Sequence, residues 1–237
     1  MTNKIPQEIE EKTKTPQQIR NEVEKEKKKL KVLELFSGTG VVSKTFKELG
    51  HEVFTIDNNK SCNPDLCIDI LRLDIKNIPF KPDFIWASPP CMDYSHAKRT
   101  GVSFIEHSNS LVIKTLSLIV ALKPKFWIIE NPQTGTLKFQ YFMKDLPYAD
   151  VSYCRYGKNF RKQTRLWNNF GFIGKLCNHN GKHKDSCGNG RKEYTENNLS
   201  SYEKGSIPIE LIKDIEQLIS KIGDVQQTSE EKQDENS

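Results

Sequence analysis

Residues 31–57 change in character three times, and this order constrains the fold more than any other feature of the chain. An apolar run at residues 32–36 is followed by the turn Ser37-Gly38-Thr39-Gly40, by helical spacing at residues 41–49, and by a second apolar run at residues 52–56. Two parallel strands need a crossover such as a helix between them, and that crossover is right-handed. The segment therefore predicts a strand, a helix and a second strand within a parallel sheet.

Later segments continue the alternation. Residues 66–70 form a further strand edge that includes Asp69, residues 84–87 and 126–129 are short apolar runs, and residues 110–122 have helical spacing. Short apolar runs of this kind are typical of buried strands. Strands that alternate with helices predict an α/β fold with a doubly wound, mostly parallel sheet.

Composition divides the chain into four parts. Residues 1–29 alternate charged and polar side chains, which predicts a disordered or helical arm. Residues 30–170 form the α/β domain, and residues 171–224 form a small irregular module that closes with an amphipathic helix near Pro208. Residues 225–237 are polar and predict a disordered tail.

The net charge and the cysteines indicate which partners and which cellular compartment to expect. The net charge of +5 is compatible with a polyanionic partner and supports one only weakly. No apolar core typical of a signal peptide occurs in the first thirty residues, and no run is long enough to span a membrane. We therefore expect no membrane partner and an intracellular protein, in the cytoplasm, a nucleus or a host cell, rather than a secreted one. Its six cysteines are expected to be thiols or metal ligands before disulfides.

The run at residues 84–87 ends in Ser88-Pro89-Pro90-Cys91. Prolines lack an N–H group and fix φ, so the chain must turn out of the sheet at the carboxyl end of the strand. Ligands of open α/β sheets bind at that edge. A nucleophilic Cys91 is one interpretation, and an inert cysteine beside a proline loop is the other.

The glycine turn and the following carboxylate form a second candidate site. Gly38 and Gly40 allow a ligand to approach the backbone closely, and Asp57 at the end of the next strand has the position of a carboxylate that holds ribose hydroxyls. The third glycine of a dinucleotide site is missing. S-adenosylmethionine, a nucleoside without phosphates, fits this pattern, and a tight turn without a ligand is the alternative.

Taken in order, these motifs resemble the cytosine-5 DNA methyltransferase family, most of all its compact viral and phage members. The resemblance spans residues 31–167. It rests on the ordered motifs Glu34-Leu35-Phe36-Ser37-Gly38-Thr39-Gly40, Asp57, Asp69, Pro89-Pro90-Cys91, Glu130-Asn131 and Gln163-Thr164-Arg165. It implies a Rossmann-like, S-adenosylmethionine-dependent methyltransferase fold with a small C-terminal module, and the activity of a DNA (cytosine-5-)-methyltransferase such as those of restriction-modification systems.

The resemblance also implies roles for individual residues. Cys91 is expected to be the nucleophile, Glu130 to grip the target base, and Arg165, with Arg161, to anchor that base and the Cys91 loop. A cation such as Arg165 would lower the pKa of the Cys91 thiol. The expected cofactor residues are Phe36, Ser37, Gly38, Gly40, Asp57, Asp69 and Pro89.

The implied substrate is a cytosine in DNA that is flipped out of the duplex. RNA is the alternative substrate, and a catalytically inactive module that binds the cofactor or DNA is the alternative to an enzyme. Pro132 and Met92 depart from the usual valine and glutamine of the family, and no large target-recognition domain follows Trp167. Sequence specificity is therefore expected to be short or to come from a partner chain.

Four residues of the C-terminal module match a structural zinc site in ligand type. They are Cys177, His179, His183 and Cys187. A small module without a core would be stabilised by a metal ion. Because the spacing matches no common zinc finger, a solvated basic loop is the alternative, and the zinc site stays a hypothesis.

Overall fold

The computed structural model describes residues 15, 29–95, 104–158, 160–177, 200 and 205–234, with the side chains of the last stretch described as far as Gly223. Seven strands form one sheet: β1 (Lys31–Leu35), β2 (Glu52–Asp57), β3 (Leu66–Cys67), β4 (Phe84–Ala87), β5 (Phe126–Pro132), β6 (Tyr148–Ser152) and β7 (Gln163–Asn168). Three α-helices are described: α1 (Val41–Glu48), α2 (Ile105–Leu122) and α3 (Ile209–Asp234). The charged arm of residues 1–29 lies almost wholly outside the described residues, as do residues 178–199.

The strand order is β3-β2-β1-β4-β5-β7-β6. Strands β1 to β5 are parallel, with β1 paired to β2 on one side and to β4 on the other. Strand β7 is antiparallel to both β5 and β6. The structure confirms the predicted α/β fold with a doubly wound, mostly parallel sheet. The strands β6 and β7 were not predicted, because their apolar residues are interrupted by charged and polar ones.

The two faces of the sheet bury separate apolar clusters. Val32, Trp86 and Ile128 pack on the face covered by α1 and α3. Leu33, Ile85 and Ile129 pack on the opposite face, which α2 covers. Since side chains alternate along each strand, adjacent residues serve opposite clusters. This double coverage explains why these strands are apolar along their whole length.

The C-terminal helix belongs to the same core as the sheet. Leu211, Ile212, Ile215 and Ile219 are buried in the cluster that contains Val32. The predicted boundary at residue 170 is therefore wrong for this helix, because its apolar face completes the main core and forms no separate one. The helix also extends to Asp234, so residues 225–234 are helical and the predicted disordered tail is wrong for them.

Helix α2 is long and apolar enough, by length and composition alone, to cross a membrane. Its residues Leu111, Val112, Leu118 and Ile119 are buried against the sheet. Core helices of globular proteins have the same composition.

Candidate active site

The loop after β4 delivers Cys91 to the carboxyl edge of the sheet. Cys91 is partly buried and begins a short 3-10 turn, in which its carbonyl accepts a hydrogen bond from the Tyr94 N–H at 3.1 Å. The Asn131 side chain, at the end of β5, donates from Nδ2 to the Pro89 carbonyl at 2.9 Å. The Pro-Pro-Cys loop is thereby fastened to the strand that carries Glu130.

Glu130 is buried, and its Oε1 atom interacts with two side chains. The Tyr153 hydroxyl donates to Glu130 Oε1 at 3.0 Å. Lys162 Nζ lies 3.7 Å from the same oxygen and 4.8 Å from the centroid of the Tyr153 ring. The acidic group predicted to grip the base is therefore held in a cluster of an aromatic hydroxyl and a cation.

Burial raises the pKa of the Cys91 thiol, and the nearby Glu130 carboxylate raises it further. Lys162 acts in the opposite direction and lowers it. The predicted lowering of this pKa by Arg165 is wrong, because desolvation exceeds the effect of the nearby cation and that cation is Lys162. Deprotonation of the thiol in the protein alone is therefore costly.

Arg165 does not lie beside Glu130. Its guanidinium donates to both carboxylate oxygens of Asp150, at 2.7 and 2.9 Å, and stacks 3.5 Å from the centroid of the Tyr148 ring. In the β5–β7 register Glu130 is opposite Leu166, whereas Arg165 is opposite Asn131. Paired residues of an antiparallel ladder share a face and successive residues alternate, so Arg165 and Glu130 lie on opposite faces of the sheet.

Arg161 was expected beside Arg165 and has a different environment. Its Nε atom is buried without a hydrogen-bond partner.

A cavity of about 250 Å³ opens beside the glycine loop, close to the lower limit of roughly 300 Å³ for small-molecule sites. Its polar and loop residues include the predicted Phe36, Gly38, Asp57 and Asp69. Ile56, Ile68, Ile70 and Leu111 form apolar walls, and Asn58, Ser88, Pro90 and His107 complete the lining. Pro90 lines the cavity in place of the predicted Pro89, which is buried and bonded to Asn131 through its carbonyl.

The glycine loop has an unusual backbone. Gly38 and Gly40 have φ of 46° and 67°, and Phe36 adopts 59° although it is not glycine. A positive φ is costly for an aromatic residue and marks a conformation that the surroundings impose. The Asp57 carboxylate stabilises this loop by accepting from the Gly38 N–H at 2.9 Å, while it also accepts from the Asn59 N–H at 2.8 Å.

Asp69 and Ser37 are two further residues that were predicted to bind the cofactor. Asp69 lines the cavity and also caps a 3-10 turn by accepting from the Leu71 N–H at 2.9 Å. Ser37 is buried, and its Oγ has no hydrogen-bond partner. Asp69 therefore lies at the cavity, whereas Ser37 is not among the residues that line it.

Of the zinc hypothesis, only Cys177 lies in the part of the chain that the structure describes. It is buried, and its N–H donates to Ser152 Oγ at 3.1 Å. His179, His183 and Cys187 lie outside the described residues. Within the described ranges no group of three or more histidine, cysteine or carboxylate side chains is placed to hold a metal ion.

Comparison with known proteins assigns the family. A model of the family described as C-5 cytosine-specific DNA methylase matches residues 30–134. A probable DNA (cytosine-5)-methyltransferase of Frog virus 3 (isolate Goorha) is 33% identical over 177 residues, which are 68% of this chain and 78% of the viral protein. The chain belongs to the C-5 cytosine-specific DNA methylases. This membership confirms the predicted family and enzyme class.

Other relatives of the methylase are more distant. The type II methyltransferase M.HindV of Haemophilus influenzae is 24% identical over 173 residues, 62% of the methylase and 53% of that protein. Among solved structures, a mutant DNMT2 of Spodoptera frugiperda has 17% identity and a TM-score of 0.44, covering 62% of the methylase and 55% of that chain. The EhMeth methyltransferase of Entamoeba histolytica has 17% identity and a TM-score of 0.46, covering 65% and 58%. The methylase thus spans little more than half of these three proteins.

Sequence reasoning missed three residues of the methylase site. Tyr153 and Lys162 contact Glu130, although neither was assigned a role and Lys162 directly precedes the Gln163-Thr164-Arg165 motif. His107 has no partner at a recognisable spacing, yet it lines the cavity from the first turn of α2. The signal for Tyr153 and Lys162 in the sequence is weak, because their contact with Glu130 depends on which strand pairs with β5.

Proposed function

We propose that the methylase transfers a methyl group from S-adenosylmethionine to carbon 5 of cytosine in DNA, with Cys91 as the nucleophile and Glu130 as the residue that grips the base. The observation that most supports this is the meeting of two chain segments at one sheet edge. The loop after β4 and the end of β5 bring Cys91 close enough to Glu130 for the carboxylate to shift the pKa of the thiol. The cavity lined by Ser88 and Pro90 adjoins the same loop.

The residues of this cavity fit a nucleoside cofactor. Asp57 and Asp69 supply carboxylates that can accept hydrogen bonds from ribose hydroxyls and an amino group, and isoleucines supply apolar walls for a base. When bound, S-adenosylmethionine supplies an electrophilic methyl group. The residues proposed to hold it are Phe36, Ser37, Gly38, Gly40, Asp57, Asp69 and Pro90.

The two reactive residues act on the base in sequence. Carbon 5 of cytosine is a weak nucleophile, so the Cys91 thiolate first adds to carbon 6 and the electron pair of the ring double bond moves toward carbon 5. Glu130 holds the edge of the base at ring nitrogen 3 and favours a proton there, which makes carbon 6 more electrophilic. Once carbon 5 is methylated, a base removes its proton, the bond between Sγ and carbon 6 breaks, and the thiolate is restored.

DNA is the proposed substrate, and its target base is stacked inside the duplex. Chemistry at carbon 5 through a covalent adduct requires that the base be flipped toward Cys91. We propose that sequence specificity is short or comes from a partner chain.

Methyl transfer from labelled cofactor tests this function. The purified methylase is incubated with duplex DNA or with RNA of the same sequence, and the digested nucleosides are separated. Label should appear in 5-methylcytosine from DNA, should be lost in Cys91→Ala, and should persist in the control Cys62→Ala, which removes a thiol outside the cavity lining. Label from RNA alone would favour the RNA alternative, and no label with intact cofactor binding would favour an inactive module.

A further inference from the structure

Two residues that no motif predicts meet at the same oxygen of Glu130. We propose that Tyr153 and Lys162 are positioning residues that hold Glu130 Oε1, so that Oε2 is presented to the base. This inference rests on the proposed function. Both contacts are to Oε1, at 3.0 Å from the Tyr153 hydroxyl and 3.7 Å from Lys162 Nζ.

Tyr153 is a buried hydrogen-bond donor to Glu130. Its side chain is fully buried in the cluster between the sheet and α3. Burial raises the pKa of Tyr153 well above its ordinary value, and the Glu130 carboxylate raises it further. The Tyr153 hydroxyl therefore stays protonated at neutral pH and donates its hydrogen bond to Glu130. A buried hydroxyl without that partner would carry a desolvation cost.

Lys162 is fixed relative to Tyr153 by the backbone as well as by side chains. The Tyr153 N–H donates to the Lys162 carbonyl at 3.0 Å, where the turn after β6 meets the start of β7. The Lys162 ammonium lies over the Tyr153 ring. Its side chain is only 20% exposed, so water screens its charge less than that of a surface lysine.

Lys162 contacts Glu130, and its charge also influences the Cys91 thiol. Among the described residues, the titratable groups that act on Cys91 are Glu130 from β5 and Lys162 before β7, and Tyr153 faces both from the turn after β6. Lys162 lowers the pKa of Cys91 while Glu130 raises it. Among the described residues, removal of Lys162 leaves no cation that offsets the effect of the buried Glu130 carboxylate on the thiol.

The first experiment measures the reactivity of Cys91 without methyl transfer. The rate of Cys91 alkylation by iodoacetamide is followed from pH 6 to 11 by mass spectrometry of its peptide in the intact chain, Lys162→Gln and Lys162→Arg. In Lys162→Gln the midpoint should move to higher pH by roughly one unit, because the positive charge that lowers the pKa of the thiol is removed. Lys162→Arg should return it toward the parent value. An unchanged midpoint in folded Lys162→Gln would overturn the role of Lys162.

The second experiment concerns Tyr153. Tyr153→Phe keeps the buried ring and removes only the donor, so kcat for methyl transfer should fall about tenfold, the value of one hydrogen bond to a charged group, with KM for the cofactor unchanged. Equal kcat in Tyr153→Phe and the parent would overturn the role of Tyr153. The two proposals can fail separately: a shifted alkylation midpoint without methyl transfer by the parent contradicts only the proposed function.

Discussion

At the scale of single residues, Glu34 is a carboxyl that the reaction does not use. It lies in β1 with its side chain buried, and its Oε2 accepts a hydrogen bond from the Ser43 N–H at 3.0 Å. Burial raises the pKa of Glu34 from 4.5 to about 8, and the Asp57 carboxylate contributes in the same direction. A neutral carboxyl therefore lies beneath the glycine loop over much of the neutral pH range.

Glu34 should make the free energy of unfolding depend on pH. Between pH 4.5 and about 8 the folded chain keeps a proton that the unfolded chain has lost. The contribution of Glu34 to the free energy of unfolding is greatest below pH 4.5. It falls as the pH rises toward 8, by up to about 1.4 kcal/mol per pH unit. Glu34→Gln should reduce this slope in urea unfolding between pH 5 and 8, whereas Glu48→Gln, an exposed change on α1, should not. A slope identical in Glu34→Gln and the parent would contradict the assignment.

The residues of the site differ in how far the sequence could predict them. Glu130 directly follows one apolar run and Cys91 follows another after a short Ser-Pro-Pro turn, so the sheet edge that carries them was predictable. Arg165 was placed wrongly because a motif does not specify the register of β7 on β5, and a shift of one residue changes the face of a side chain. Tyr153 and Lys162 could not be found, since their contact depends on the unpredicted pairing of the two C-terminal strands.

At the scale of elements, Asp57 joins the end of β2 to the loop between β1 and α1. One carboxylate oxygen accepts from Gly38 and the other from Asn59. The same side chain lines the cavity. Asp57 therefore both shapes the glycine loop and is available to a ligand.

Replacing Asp57 should weaken cofactor binding. Asp57→Ala removes the acceptor of the Gly38 N–H and a proposed partner of the ribose, so the affinity for S-adenosylmethionine should fall by about 1 to 3 kcal/mol. Isothermal calorimetry measures this directly. Asp74→Asn, which alters a similar turn cap at Lys76 outside the cavity lining, is the control. A dissociation constant that is unchanged in Asp57→Ala would show that Asp57 shapes the glycine loop but does not contribute to cofactor binding.

At the scale of the whole molecule, α3 closes the core through a buried polar pair. His51 Nε2 and Glu216 Oε1 are 3.1 Å apart with both side chains 1% exposed. His51 Nδ1 accepts from the Leu30 N–H, and Ser220 Oγ donates to Glu216 Oε1. The pair thus links the entry to β1, the loop after α1 and the C-terminal helix. Sequence periodicity predicted the apolar face of this helix, but it could not show that Glu216 lies on that face with His51 as its partner.

Glu216 should matter to stability more than any exposed residue of α3. Glu216→Ala leaves His51 and Ser220 without a buried partner, which should lower the free energy of unfolding by about 3 kcal/mol or more. The neighbouring exposed change Gln217→Ala should have an effect within about 0.5 kcal/mol. Urea unfolding of both variants gives the comparison. Equal losses in the two would show that the buried pair contributes nothing.

The measurement that tests the central claim most directly is covalent trapping on DNA that contains 5-fluorocytosine. If Cys91 adds to carbon 6 and carbon 5 is methylated, fluorine at carbon 5 cannot be removed as a proton is, so the enzyme stays attached to the base. A duplex pool that presents 5-fluorocytosine in all sequence contexts should give a shifted band on a denaturing gel that requires S-adenosylmethionine. The band should be absent in Cys91→Ser, weakened in Glu130→Gln, and retained in Cys62→Ala. A band that persists without Cys91, or no band from a parent enzyme that methylates the unmodified pool, would contradict the covalent mechanism.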